Sequence, residues 1–224
     1  MIERREFIQR AATSLAAVGA LGANATSELT TGGSRPVLQQ ANWDLSWASR
    51  LTGTHKAVFD VVETESGFGV YRAAAWAAQY IDVLKATRAD LSPVVVLRSH
   101  AVVFAFRQDF WDRYEVGRTK HVTHPVSLQE TPKNPVLLEE SDGFPAALAS
   151  GGLRKQIERG VTVLACNLAL QSWVDAIRTR RRTSDAEARA EAITALVPGV
   201  ILQPSGVFAA TYAQQHGCVY VRAS

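Results

Sequence analysis

The sequence predicts a single α/β domain with a five-stranded, mainly parallel sheet and helices on both faces. Short runs of β-branched and apolar residues alternate with stretches in which apolar residues recur at helical spacing. The runs are apolar at nearly every position, which is typical of strands that are covered on both sides. With 224 residues, 47% of them hydrophobic, the chain is long enough for one domain with a real core.

The five strands are short and are separated by helical or irregular segments, so a crossover connection can join each strand to the next. They are predicted over residues 56–62, 92–97, 161–166, 200–202 and 218–221. Because a crossover helix returns the chain to the same end of the sheet, this alternation favours parallel pairing.

Helices are predicted by periodicity and by capping signals. Apolar residues from Val70 to Leu84 recur at helical spacing and indicate about five turns. Another helix begins at Asn167, directly after the third strand. Ser184 and Glu187 have the spacing of a capping box, which predicts a helix that begins there and runs to about residue 196. Shorter helices are predicted over 153–158 and 207–215.

Residues 117–143 show no periodicity and are rich in His, Thr, Pro and Asn. The segment is longer than most connections in compact domains, and long irregular loops are usually functional. We therefore expect it to carry function or to form a contact between subunits.

The first residues resemble a twin-arginine export signal. Arg4 and Arg5 are followed by Phe7, by an apolar run over 11–22 and by the small residues of a cleavage site at 23–25. We expect a signal peptide over 1–25 and a periplasmic protein. The apolar run is shorter and richer in Ala than the ~20 apolar residues that span a bilayer, so no stable membrane insertion is expected after cleavage.

Residues 26–40 are rich in Ser, Thr and Gly, which is typical of a flexible linker. We expect a spacer over 26–50 and the folded domain over 51–224. The formal net charge of +3 leaves no electrostatic footprint for nucleic acid. The arginine run at 178–182 is better explained by a solvated face or an acidic partner.

Cys166 is the principal candidate for chemistry. In an open parallel sheet, ligands bind beyond the carboxyl ends of the strands, and Cys166 ends the third strand at the turn into a helix. Free backbone N–H groups and the helix dipole stabilise an anion there and favour a thiolate. A small buried hydrophobe is the commoner role of a free cysteine, and the residues alone leave both interpretations open.

Four further residues follow strands at the same expected edge and are candidates for ligand binding. Asn167, with the helix N-terminus, would stabilise an anion on Cys166. Arg98 and His100 follow the second strand and could add positive charge, although a lone histidine is more often a hydrogen-bonded structural residue. Ser205 follows the fourth strand.

Cys218 opens the fifth strand and should lie at the opposite end of the sheet from Cys166. A disulfide needs Cα atoms within ~7 Å, so we expect two free thiols, with Cys218 structural. His121 and His124 lie three residues apart without a third ligand nearby, and this makes an incomplete metal site. No metal and no cofactor are predicted.

Taken in order, several short segments resemble the DsrE/DsrF-like family, and within it an exported branch with twin-arginine leaders. The matching segments are His55-Lys-Ala-Val-Phe-Asp60, Val94-Val-Val-Leu-Arg98, Phe110-Trp111 to Gly117, Asn134-Pro135, Gly160 to Asn167, Leu196-Val-Pro-Gly199-Val and Gly206-Val-Phe through Ala213-Gln214 to Gly217. They cover nearly all of residues 55–222. The resemblance implies a five-stranded parallel sheet and a tendency to form homo-oligomers. In the cytoplasmic sulfur-relay members a cysteine carries sulfur as a persulfide, and Cys166 matches a family cysteine after the third strand.

The first functional hypothesis is a periplasmic thiol protein in which Cys166 carries sulfur or binds a small ligand. A persulfide or mixed disulfide would be its intermediate, and its partner a small sulfur compound or a thiol protein. The alternative is a non-catalytic oligomeric binding module, with Trp111, Tyr114 and the 117–143 loop at the subunit contact. A third hypothesis is a metal-binding protein that uses His121 and His124.

Overall fold

The computed structural model describes residues 42–224, which form a sheet of five parallel strands flanked by helices. The spatial order of the strands is β4-β3-β2-β1-β5, and every pair of neighbours is parallel. The strands are β1 (His55–Val61), β2 (Leu91–Leu97), β3 (Thr162–Cys166), β4 (Val200–Gln203) and β5 (Val219–Arg222). The predicted fold class is confirmed. The expected twin-arginine signal over 1–25 lies outside the described residues.

The helices follow the predicted pattern closely. They are α1 (Phe68–Leu84), α2 (Gln108–Tyr114), α3 (Val116–Thr119), α4 (Ala146–Ala149), α5 (Leu153–Glu158), α6 (Asn167–Arg181), α7 (Asp185–Thr194) and α8 (Gly206–Gln215). The capping box predicted from Ser184 and Glu187 is present at the start of α7. Among the described helices, none is long and apolar enough to cross a bilayer.

Helices cover both faces of the sheet because the chain reverses direction once. It moves from β1 through β2 and β3 to β4, then returns from β4 to β5 beside β1. Since such crossovers are right-handed, the first three place their helices on one face and the last places α8 on the other. The first face carries the larger core, which includes Leu170 of α6. The second face carries a smaller core with Ala209 and Ala213 of α8.

The segment before β1 belongs to the domain. Residues 46–50 form a 3₁₀ turn, and Trp47 is fully buried in the core of the second face. Its ring lies edge-on to Tyr212 at 5.6 Å, and Gln203 donates a hydrogen bond to the backbone oxygen of Asp44 at 2.8 Å. The expected spacer therefore does not extend over 42–50. The sequence does carry a signal here, since Trp43, Trp47 and Leu51 stand four residues apart, and Ala48 and Leu51 are buried with Trp47.

Residues 117–143 are irregular, as predicted, but they are anchored to the domain. The buried side chain of Asn134 donates to the backbone oxygens of Phe104 and Phe106, at 3.3 and 2.9 Å. The two aromatic residues expected at a subunit contact are buried inside the same chain. Trp111 donates from Nε1 to the oxygen of Val103 at 2.8 Å, and Tyr114 is 4% exposed. That part of the binding-module hypothesis is wrong.

The arginine run ends α6 and meets an acidic residue of the same chain. Arg181 and Arg113 both form ion pairs with Glu191 of α7, and Tyr114 donates a hydrogen bond to the same carboxylate. Arg180 lies over the ring of Tyr114. An acidic partner was one of the two predicted explanations of this run. For Arg181 that partner is Glu191 of the same domain.

Candidate functional site

Cys166 lies where predicted, at the last position of β3, and its side chain caps the helix that follows. Its Sγ accepts a hydrogen bond from the backbone N–H of Ala169 at 3.4 Å, which is the role that Ser or Asp commonly has at a helix N-terminus. The thiol is buried, with 5% of the residue exposed. Side chains alternate along a strand, and Leu164 belongs to the core of the second face, so Cys166 points to that face.

Asn167 is the first residue of α6 and is partly exposed. Its Oδ1 atom is buried and has no hydrogen-bond partner. In a side-chain amide only the Nδ2 group can donate to an anion. Within residues 42–224, the donor to the Cys166 sulfur is the N–H of Ala169 rather than the amide of Asn167.

Arg98 follows β2 and turns its guanidinium toward β1. Its Nε and Nη2 atoms donate to the two carboxylate oxygens of Asp60, each at 2.7 Å, in a bidentate ion pair. These hydrogen bonds raise the pKa of Arg98. Arg98 was expected to add positive charge near Cys166, but its charge is already paired with the carboxylate of Asp60.

Asp60 is a site residue that the sequence analysis missed. It is 2% exposed, and besides Arg98 it accepts a hydrogen bond from the hydroxyl of Tyr220 on β5 at 2.7 Å. The bond to Asp60, together with burial, raises the pKa of Tyr220. An acidic residue within an otherwise apolar strand was the available signal, because buried carboxylates are nearly always paired. Asp60, Arg98 and Tyr220 form what we call the carboxylate cluster.

The start of α8 contacts the carboxylate cluster through Gly206. A Cβ atom on Gly206 would lie 2.4 Å from the Cβ of Arg98, so only glycine allows this close approach.

Ser205 caps α8, since its Oγ accepts the N–H of Phe208 at 3.0 Å. Strand pairing places Cys166 opposite Gln203 on β4. The structure thus brings Cys166, Arg98 and Ser205 to the same edge of the sheet, where Ser205 is a helix cap.

His100 lies above the end of β1 and faces solvent. Its Nδ1 is 2.7 Å from Oε2 of Glu63, and its side chain is 65% exposed. A surface carboxylate therefore holds the ring, as expected for a hydrogen-bonded structural histidine.

His121 and His124 have different partners. His121 pairs with Glu130 at 2.6 Å, whereas the Nδ1 atom of His124 accepts the N–H groups of Val126 and Ser127, each at 3.2 Å. In the part of the chain that the structure describes, no three His, Cys, Asp or Glu side chains are grouped so that they could hold a metal ion.

Cys218 lies immediately before β5, at the opposite end of the sheet from Cys166, as predicted. It is buried to the same extent, with 5% exposed, within the core of the second face. Burial raises the pKa of its thiol. Both cysteines are free.

The fold and the site define an α/β domain that carries a buried, helix-capping thiol and, at the same edge of the sheet, the buried carboxylate of Asp60 with its two partners. In comparisons with known proteins, no family model and no curated protein matched the chain.

Proposed function

We propose that this chain is an exported, DsrE-like thiol protein in which Cys166 accepts and passes on a sulfur atom. The observation that carries the proposal is the hydrogen bond from the N–H of Ala169 to the Cys166 sulfur. It places the thiol at the N-terminus of a 15-residue helix. Backbone N–H groups and the helix dipole stabilise a negatively charged sulfur at that position.

The burial of Cys166 restricts the sulfur donor. With 5% of the residue exposed, Cys166 offers no surface on which a partner protein could align its own thiol. Of the two predicted partners, burial therefore favours a small sulfane-sulfur compound over a thiol protein.

The transfer involves no net oxidation. The Cys166 thiolate attacks the outer sulfur of a small persulfide, the sulfur–sulfur bond of the donor breaks, and a new sulfur–sulfur bond forms on the protein. The donor leaves as a thiolate with the electron pair, and the proton stays on the terminal sulfur of the Cys166 persulfide. The N–H of Ala169 can donate to the attacking thiolate, so this chain stabilises its charge without a side-chain cation.

Export and self-association belong to the same proposal. The resemblance of the first 25 residues to a twin-arginine signal supports a periplasmic location. The family resemblance supports a homo-oligomer. Since Trp111 and Tyr114 are buried, the candidates for a contact in the long loop are Val126 and Leu128, which are 53% and 65% exposed.

A non-catalytic binding module is the second candidate function. The burial of Cys166 favours it, because a capping thiol with 5% exposure also fits a purely structural role. In that case the sulfur of Cys166 stabilises the start of α6 and reacts with nothing.

The two cysteines allow a matched test of the thiol proposal. We would measure alkylation by iodoacetamide at neutral pH in Cys218→Ala, which leaves Cys166, and in Cys166→Ala, which leaves Cys218. Both residues are 5% exposed, but Cys166 lies at a helix N-terminus, whereas burial raises the pKa of the Cys218 thiol. Helix-terminal stabilisation of ~1–2 kcal/mol predicts that Cys166 reacts roughly tenfold faster.

The second step treats the Cys218→Ala protein with a small inorganic polysulfide and measures the intact mass. The proposal predicts one added sulfur atom that a thiol reductant removes. If Cys166 reacts no faster than Cys218 in the folded protein, the thiol proposal fails and the binding module becomes the better conclusion.

A further inference from the structure

A groove of about 520 Å³ lies on the first face of the sheet, alongside α1. One wall is helix α1, and the other is formed by α4, α5 and the start of β3. The volume lies within the range of small-molecule sites in proteins. The groove is a separate feature from Cys166, which belongs to the second face.

The groove is lined mainly by small apolar residues. Alanines of α1, among them Ala74 and Ala77, face Leu148 of α4 across it. The buried side chain of Gln156 holds the two walls together, since its Nε2 donates to the backbone oxygens of Val70 and Gly151 at 2.9 and 2.7 Å. The groove is therefore preformed, which lowers the entropy cost of binding.

One end of the groove is positively charged. Arg88 and Arg159 line it together with Pro93 and Val161, which lie at the amino ends of β2 and β3. The register pairs the next residues of these strands with each other, so both arginines lie at the amino edge of the sheet. Arg72 lines the other end, where it pairs with Glu65. None of the lining residues is acidic.

We propose that this groove binds a small amphiphilic carboxylate, with its charge between Arg88 and Arg159 and its alkyl chain along α1. The apolar walls match the chain, and the two arginines at one end match the carboxylate. Arg159 also donates from Nη1 to the backbone oxygen of Ser150 at 2.6 Å, which holds its guanidinium at the groove. From Phe68 to Ile81, α1 provides roughly 20 Å of wall, at 1.5 Å for each residue. The inference rests on none of the chemistry of Cys166, and it would supply a ligand for the binding module.

Titration calorimetry with octanoate and decanoate tests the inference. We expect one saturable site per chain, present also in Cys166→Ala. Burial of a CH₂ group contributes ~0.8 kcal/mol, so two more carbons should strengthen binding by up to about 15-fold. Arg88→Gln and Arg159→Gln should each weaken decanoate binding by up to about fivefold, as partly exposed ion pairs do. Neither should change the binding of decanol.

Two variants complete the design. Ala77→Phe fills the groove and should abolish binding of both probes. Arg107→Gln, whose surface pair with Asp109 lies outside the groove, should leave decanoate affinity unchanged within about twofold. No saturable binding of decanoate would overturn the inference, as would binding that survives Ala77→Phe. Equal affinity for decanoate and decanol would also overturn it. So would self-association that Ala77→Phe abolishes, since the groove would then be a contact between copies.

Discussion

Replacing Asp60 by Ala tests whether the carboxylate cluster holds the carboxyl edge together. The substitution leaves the guanidinium of Arg98, which is 28% exposed, without its carboxylate. It also removes the acceptor of the Tyr220 hydroxyl. The half-buried guanidinium would then lack a charge partner, whereas the hydroxyl of Tyr220, a residue that is 44% exposed, could turn to water.

The expected loss of stability is large for a single substitution. Removing one partner of a buried ion pair costs about 3–5 kcal/mol, because the remaining charge stays buried without compensation. For a domain of this size, each kcal/mol lowers the melting temperature by roughly 2–4 °C. Asp60→Ala should therefore melt roughly 6–20 °C below the parent protein.

The chain supplies its own control in Asp109. This carboxylate also receives two hydrogen bonds from one arginine, Arg107, at 3.1 Å each, but its side chain is 56% exposed. Surface pairs of this kind contribute about 0–1 kcal/mol. Urea unfolding followed by circular dichroism would compare Asp60→Ala, Asp109→Ala and the parent protein, with equal slopes as the check on two-state behaviour.

The double variant Asp60→Leu/Arg98→Met distinguishes two causes of instability. One is an arginine left without its carboxylate, and the other is the loss of the ion pair itself. Apolar residues of similar volume often replace a buried ion pair without loss. We expect this variant to recover most of the stability lost in Asp60→Ala. The reasoning is refuted if Asp60→Ala and Asp109→Ala differ by less than about 1 kcal/mol.

Two further predictions concern Trp47, before β1, and Glu187, in the first turn of α7. Trp47→Ala should cost about 3–5 kcal/mol in urea unfolding, as for a fully buried Trp, whereas a spacer residue would cost nothing. Hydrogen bonds from Thr183 and Ser184 lower the pKa of Glu187 from 4.5 to about 2. Because the pKa of Glu187 is lower in the folded state than in the unfolded state, the ionised carboxylate stabilises the fold. This stabilisation is fully present above pH 4.5 and is lost as the pH falls toward about 2. Glu187→Gln should therefore flatten the decline in stability across that window, and an unchanged acid profile would contradict this.

The order of strands and helices could be predicted from the sequence because each has a local cause. The β-branched run that ends at Cys166 and the capping box at Ser184 both act within a few residues. The parallel sheet followed from the alternation of the elements. Cys166 could be placed at the strand–helix boundary for the same reason.

The partners of the site residues could not be predicted, because they are distant in sequence. Arg98 could be placed at the carboxyl edge, but the choice between Cys166 and Asp60 as its partner depends on which strands are neighbours. His100 likewise pairs with Glu63 of the preceding connection. The burial of Trp47 depends on a helix more than 150 residues later. Sequence patterns report periodicity and caps, but not the direction in which a long side chain turns.

The return of the chain from β4 to β5 has a consequence for how the domain folds. β5 pairs with β1 across about 160 positions of sequence, so this edge of the sheet closes only after residues 219–222 have been made. Pairings of such long range slow folding, since loop closure precedes any gain from contacts. Asp60 acquires its Tyr220 partner only in that last step. A chain still emerging from the ribosome therefore holds a carboxylate without its Tyr220 partner, next to an unpaired strand edge, and unpaired edges favour aggregation.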